Sequence, residues 1–276
     1  MIELPRLEAR RYLQPLREGG SLPAVVETDG GLYVVKFRGA GQGPRALIAE
    51  LIAGLIAREL GLPVPDLASV MLPSDFSDER DAEIRELVVA SRGMNVGIRY
   101  MDGAFNYDER AAGEYLSPDL AAGIVWLDAF LTNPDRTARN PNLMIWDRRP
   151  WLIDHGSALY AHHSWESVDE ARTRTPFPMI REHVLLLRAD HPGMVDERSA
   201  AILTADRLTE ILNAVPEELL MDPLARGVAA SVDQARERYV RYLTDRLRPP
   251  RSFAGEIERA RIARQAEPMR RLEARR

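Results

Sequence analysis

Three polar residues in NPDRTARNPNLMIWDRRPWLIDHG, residues 133–156, have types and spacing that chemistry can use: Asp135, Asn140 and Asp154. Asp135 and Asn140 are five apart. The apolar run Asn142 to Trp146, the turn Asp147-Arg148-Arg149-Pro150 and the apolar run Trp151 to Ile153 then lead to Asp154. This reads as a loop followed by a β-hairpin that ends in a carboxylate. A loop carboxylate that can orient a hydroxyl, an amide oxygen and a second carboxylate for a divalent cation are what phosphoryl transfer asks of a protein. The competing reading is structural. Asp and Asn are ordinary turn residues, and Asp-His-Gly can simply close a strand.

Lys36 is the second pointer, as it is the single lysine among 37 basic residues, the rest being arginine. A chain that uses arginine wherever a cation serves, yet keeps one lysine, suggests a place for a compact ammonium on a flexible stem. Fourteen residues on, Glu50 lies among the apolar positions of a helical stretch with no lysine near it to pair with. A strand lysine and a helix glutamate so placed can form an ion pair across a cleft. The alternatives are a chance survivor and a solvent-facing helix edge. Arg136 and Arg139 flank the acidic loop, as added positive charge or as solvated side chains.

Composition excludes much else. The chain has 276 residues, 45% hydrophobic and 29% charged, the balance of a soluble globular protein. No apolar run reaches the length of a membrane span, and MIELPRLEARRYL lacks a signal-peptide core, so a cytoplasmic location is expected. Without cysteine there is no disulfide, thiolate nucleophile or Cys-ligated zinc. A net charge of -5 gives no general pull toward nucleic acid. The histidines lack zinc-ligand spacing and read as hydrogen-bonded structural residues.

The elements that must position these residues follow from periodicity. Turn signals at Gly19-Gly20 and Asp29-Gly30-Gly31 separate strand-like stretches at 22–27 and 32–37, a small antiparallel sheet with Lys36 near the end of its third strand. PRALIAELIAGLIARELG is a helix, with Pro44 in its first turn and a stop at Gly61, packed on that sheet. A further strand is expected at 67–72 and an extended join between lobes within 92–106. Ser117 then caps a helix that delivers the Asp135 loop. PMIREHVLLLRA, DRLTEILNAVPEELL and DQARERYVRYLTDRL read as amphipathic helices. The division is 1–98, a nucleotide-binding lobe; 99–250, a catalytic lobe; and 251–276, a charged tail read as a solvated helix or frayed end. The fold class is α+β, a small β-rich lobe followed by a larger helical one.

The ordered set Lys36, Glu50, Asp135, Asn140 and Asp154 resembles the protein-kinase-like superfamily. More narrowly, YVVKFRGAGQGPRALIAELIAGLIARELGLPVP with VWLDAFLTNPDRTARNPNLMIWDRRPWLIDHGSALY resembles the compact bacterial HipA-like kinases. The same Asp-Arg-x4-Asn and Ile-Asp-His-Gly signature is similar to phosphatidylinositol 3- and 4-kinases. The resemblance implies a two-lobe fold and an ATP- and Mg²⁺-dependent phosphotransferase acting on a hydroxyl, foremost protein Ser or Thr. It further implies that Lys36 holds the phosphates, Glu50 holds Lys36, Asp135 orients the acceptor, and Asn140 and Asp154 hold Mg²⁺. In place of a Gly-rich loop the chain has REGGSLP, where Gly19, Gly20 and Ser21 offer backbone N–H groups for a phosphate, or form a plain turn. A small-molecule or inositol-type acceptor and a nucleotide-binding pseudokinase are the alternatives. An antitoxin partner is not implied.

Overall fold

The computed structural model describes residues 2–16, 22–41, 43–76, 81–222 and 229–266. The β-rich N-terminal part, expected as a small antiparallel sheet, is a closed barrel with one parallel pair. Its strands are β1 (Arg6–Pro15), β2 (Ala24–Thr28), β3 (Gly31–Lys36), β4 (Leu67–Leu72) and β5 (Gly93–Arg99), closed in the order β1-β2-β3-β5-β4. Closure comes from β1, whose ten residues reach past β2 to pair in parallel with β4 through Arg6–Ser69, Leu7–Val70 and Glu8–Met71. Tyr12, Val26, Tyr33, Val35, Phe37, Val70 and Leu72 fill this part, with α2 (Ala82–Ala90) adding Ile84 and Val88.

Helix α1 (Pro44–Glu59) does more than pack on a sheet. Everything from Leu47 to Ala57 is buried, because β4 and β5 lie on one side and helices of the C-terminal part on another. The close approach needs Gly54, where a Cβ would come within 2.6 Å of Leu67 Cδ1. Glu50 is carried on this helix and is fully buried.

After β5 the chain forms β6 (Phe105–Asn106), α3 (Glu109–Ala112) and α4 (Pro118–Phe130). The hairpin β7 (Leu143–Trp146) and β8 (Arg149–Leu152) completes a second sheet in the order β6-β7-β8. Then come α5 (Glu170–Thr173), α6 (Pro192–Ile202), α7 (Ala205–Ala214), α8 (Glu217–Leu220), α9 (Val232–Leu247) and α10 (Ser252–Gln265). Ser117 caps α4 by accepting from Leu120 N–H at 3.2 Å. At the other end, the buried Arg246 of α9 donates to the carbonyls of Phe130 at 2.7 Å and Ala129 at 3.0 Å. A cation on these last carbonyls satisfies the helix terminus just where the functional loop departs.

Three expectations are corrected. The stretch 178–189 is a one-turn helix at Pro178–Glu182 followed by turns, not an amphipathic helix. His183 is drawn against the Asp135 loop, bridging Thr137, and Val184 N–H bonds Arg136 O at 3.0 Å, which takes the backbone out of a helical path. Residues 205–220 form two helices, α7 and α8, with Pro216 between them as the N-cap of α8. The stretch read as a solvated tail begins with α10, whose Phe253 is buried against Trp126 and Phe130 of α4 at ring distances of 5.6 and 5.7 Å. Charged residues outnumber apolar ones over 251–276, so charge composition hid a short apolar stripe of Phe253, Ile257 and Ala260.

Candidate active site

The polar residues of β3, α1 and the end of the hairpin meet across the junction of the two parts. Lys36 Nζ donates to Glu50 Oε2 and to Asp154 Oδ1, both at 2.6 Å. Asp154 has φ of 56°, in the left-handed region that an Asp tolerates better than most side chains. That turn sends its carboxylate to Lys36 while the next peptide N–H, of His155, bonds Glu50 Oε2 at 2.8 Å. His155 Nδ1 lies 3.3 Å from Glu50 Oε1 and must carry the hydrogen, since a carboxylate can only accept. Thr132 and Asn142 also have positive φ, so the backbone is strained at both mouths of the Asp135 loop and at Asp154.

Burial divides the trio. The Glu50 side chain is 0% exposed and that of Lys36 11%, while that of Asp154 is 45% exposed. Burial alone would raise the Glu50 carboxyl, but the Lys36 charge and the His155 hydrogen bonds outweigh it and push the group down to about 2. Burial would likewise lower Lys36, yet Glu50 and Asp154 together raise it above its ordinary value. The site thus holds a fixed ammonium between one locked carboxylate and one that faces solvent.

Asp135 and Asn140 lie on the adjoining loop. Asp135 Oδ2 accepts from Asn140 Nδ2 at 3.1 Å and from Asn142 Nδ2 at 3.2 Å, and Asp135 N–H bonds Asn133 Oδ1 at 3.2 Å. Both amides land on the same carboxylate oxygen, Oδ2. Asn140 commits its amide nitrogen to Asp135, and its carbonyl oxygen is the atom it can present elsewhere. The exposed Asn140 and the half-open Asp154 are oxygen donors of the kind a small divalent cation takes from protein while phosphate and water fill its remaining positions.

Behind the loop is a second ionic cluster that sequence reading missed. Asp128, in the apolar run IVWLDAFL of α4, is buried and accepts from Asn133 Nδ2 at 2.9 Å, Arg136 Nε at 2.6 Å and His183 Nε2 at 3.0 Å. Leu185 N–H donates to His183 Nδ1 at 3.0 Å, so the hydrogen sits on Nε2. Burial lowers the His183 pKa, against the pull of Asp128, and keeps the ring neutral. Asp128, which burial would raise, is held well below the usual carboxylate range by Arg136 and His183. Arg136 also donates to the carbonyls of Asn142 and, at 3.5 Å, Ile153. It therefore faces inward, and the reading of Arg136 as charge beside a phosphoryl group is corrected: Nε and Nη1 tie the loop to Asp128 and to the backbone at both ends of the β7–β8 hairpin, while Nη2 is buried with no partner among the described residues. The signal available in sequence was Asp128 itself, an acid inside an apolar helix.

His162 is engaged as well. His162 Nδ1 lies 3.0 Å from the Tyr239 hydroxyl in the core, and burial first, then His163 and Arg45, hold its pKa well below the ordinary value. Gly19, Gly20 and Ser21, the expected phosphate cover, lie outside the described residues. Among the described residues no helix is long and apolar enough to cross a membrane.

Residues 13–246 match the family of HipA-like kinases, a span that includes every residue named above as a candidate. The chain belongs to the HipA-like kinase family. In solved structures the fold is similar to that of a Helicobacter pylori proinflammatory kinase, CtkA, with a TM-score of 0.55 at 12% identity, over 96% of this chain and 100% of that one. Comparison with curated proteins finds no match. A HipA-like kinase is a phosphotransferase, so the meeting of Lys36, Glu50 and Asp154 lies in a fold that transfers phosphoryl groups.

Proposed function

We propose that this HipA-like kinase transfers the γ-phosphate of ATP to a Ser or Thr hydroxyl of a protein, in a Mg²⁺-dependent reaction. The observation that carries the reading is Lys36 held at 2.6 Å from both Glu50 and Asp154. Glu50 fixes the ammonium from the buried side, so Lys36 keeps its place when phosphate oxygens replace Asp154 as its second partner. Asp154, released from Lys36, and the Asn140 carbonyl would hold a Mg²⁺ ion. Bound Mg²⁺ supplies neutralisation of the phosphate charge. Asp135, with Oδ2 occupied by two amides, orients the acceptor hydroxyl through Oδ1 and takes its proton as the phosphoryl group departs ATP. These groups supply placement and charge, which phosphoryl transfer needs more than covalent help.

The test is transfer of labelled γ-phosphate into lysate proteins by the intact chain, beside Asp135→Asn. Label on Ser or Thr with the first and none with the second is the expected result. Label found in lipid or small metabolites would instead favour an inositol-type or small-molecule acceptor. ATP binding with no transfer to any fraction would make the protein a nucleotide-binding module.

A further inference from the structure

The two oxygens of the buried Glu50 carboxylate are held from different sides. Oε2 takes Lys36 Nζ at 2.6 Å and the His155 N–H at 2.8 Å, whereas Oε1 has a single donor among the described residues, His155 Nδ1 at 3.3 Å. A terminal carboxylate turns in a broad torsional well, so its plane is set by its donors more than by its rotamer. Lys36 depends on that plane, because a flexible four-carbon stem lets the ammonium follow whichever oxygen accepts it.

The ring that fixes the plane is itself held. The segment after Asp154 lies along the first turns of α1: a Cβ on Gly156 would stand 3.5 Å from Ala46 Cβ, and Arg45 Nη1 donates to the His163 carbonyl at 3.2 Å. Leu159 N–H, in the same segment, reaches the carbonyl of Leu131 at 2.7 Å. The His155 side chain is 1% exposed, and its second nitrogen, Nε2, is buried with no partner among the described residues. An unpaired buried nitrogen costs stability, and an apolar ring of similar size would not carry that cost. Packing therefore does not account for a histidine at this place. What the ring adds over phenylalanine is the Nδ1–H on Glu50.

We infer that His155 is a positioning residue for phosphoryl transfer: its Nδ1–H sets the plane of the Glu50 carboxylate and, through Glu50, the place at which Lys36 meets a phosphate. The inference rests on the proposed kinase reaction and adds a residue to its machinery. His155 acts through Glu50 and takes no part in bond making. Without the Nδ1–H, Oε1 is a buried carboxylate oxygen with no donor, a costly state. The carboxylate relieves it by turning both oxygens to Lys36, which draws the ammonium inward and away from the side of Asp154.

The experiment compares His155→Phe with His155→Asn in the full chain, assayed for transfer and for melting. Phe keeps a ring and loses the donor, while Asn gives up volume but carries an N–H group on the atom bonded to Cγ, as His155 Nδ1 is. The two orders should cross. His155→Phe is expected to melt at or above the Tm of the unaltered chain yet to lose about 10- to 10²-fold in kcat, the scale of a hydrogen bond to a buried charge, with KM for ATP little changed. His155→Asn should melt lower and keep most of kcat, the reverse of what a purely structural ring predicts. Because Lys36 is the single lysine, labelling lysine with nitrogen-15 gives one side-chain ammonium signal, which should move in His155→Phe and stay in His155→Asn. If His155→Phe does not fold, His155→Leu, which also lacks the donor, takes its place in the same comparison. A donor-free variant as fast as the unaltered chain, equal loss of kcat in both variants, or a Lys36 signal unmoved by loss of the donor would overturn the inference. A folded unaltered chain without ATP-dependent transfer would count against the proposed function itself. The Lys36 signal still reads the hold of His155 in that event, so the two failures are distinct.

Discussion

Glu50 in α1 and Asp128 in α4 are both buried carboxylates in apolar helices, and each meets one basic side chain and one histidine. Glu50 has Lys36 and His155; Asp128 has Arg136 and His183. They differ in what else the cation touches. Arg136 turns its Nη1 to backbone carbonyls in the interior, whereas Lys36 reaches Asp154, whose side chain is 45% exposed. A cluster closed on all sides can only hold a shape. A cluster with one solvent-facing partner can trade that partner for a ligand. The choice of basic side chain follows, since Arg136 braces two segments with a planar fork and Lys36 needs one compact charge that can change hands.

Breaking the closed cluster should cost stability most. Asp128→Ala leaves the guanidinium of Arg136 buried without its carboxylate and Asn133 without its acceptor, and urea unfolding should show a loss of about 3–5 kcal/mol. A variant that unfolds at the normal denaturant midpoint would mean that Arg136 finds another partner and does not depend on Asp128.

In the open cluster and the loop beside it the effects should fall on turnover. Asp135→Asn is expected to lower kcat roughly 10³-fold, the scale of a lost general base, with ATP affinity nearly intact. Asp154→Ala should instead abolish Mg²⁺-dependent nucleotide binding, because in the proposed reaction that carboxylate would act on the bound nucleotide before any transfer. Equal loss of nucleotide affinity in both, at unchanged folding, would refute the division between the two acids.

Much of this contrast is legible in sequence, and the rest fails for definite reasons. The pairing of Lys36 with Glu50 could be read because one lysine stood out among arginines and one acid stood among apolar helix positions. Asp128 carried the second of those signals, yet its partner His183 is 55 residues away and nothing local announces the contact. Arg136 was legible as a loop arginine but not as an inward one, because neighbouring residues of a loop can face opposite ways. The helix expected at 178–189 failed for the same long-range reason: the bridge from His183 to Thr137 overrides local periodicity. The barrel's closure hinged on the parallel pairing of β1 with β4, which alternation within β1 does not encode.

A smaller effect separates the clusters by pH. Glu50, depressed from 4.5 to about 2, contributes stability that is fully present above pH 4.5 and is lost as the pH falls toward 2. The stability difference between the protein and Glu50→Gln should therefore be flat from pH 5 upward and shrink below about 4.5. A difference that grows on acidification would show that Glu50 is not held ionised by Lys36.

The most direct measurement is phosphoryl transfer by Lys36→Arg beside its melting temperature. If Lys36 is a compact charge passed from Asp154 to phosphate, the bulkier fork misplaces both contacts, and kcat/KM should fall about 10²-fold or more with little change in Tm. Near-normal turnover by Lys36→Arg, in a chain whose every other basic residue besides histidine is already arginine, would contradict the exchange of partners at the centre of this site.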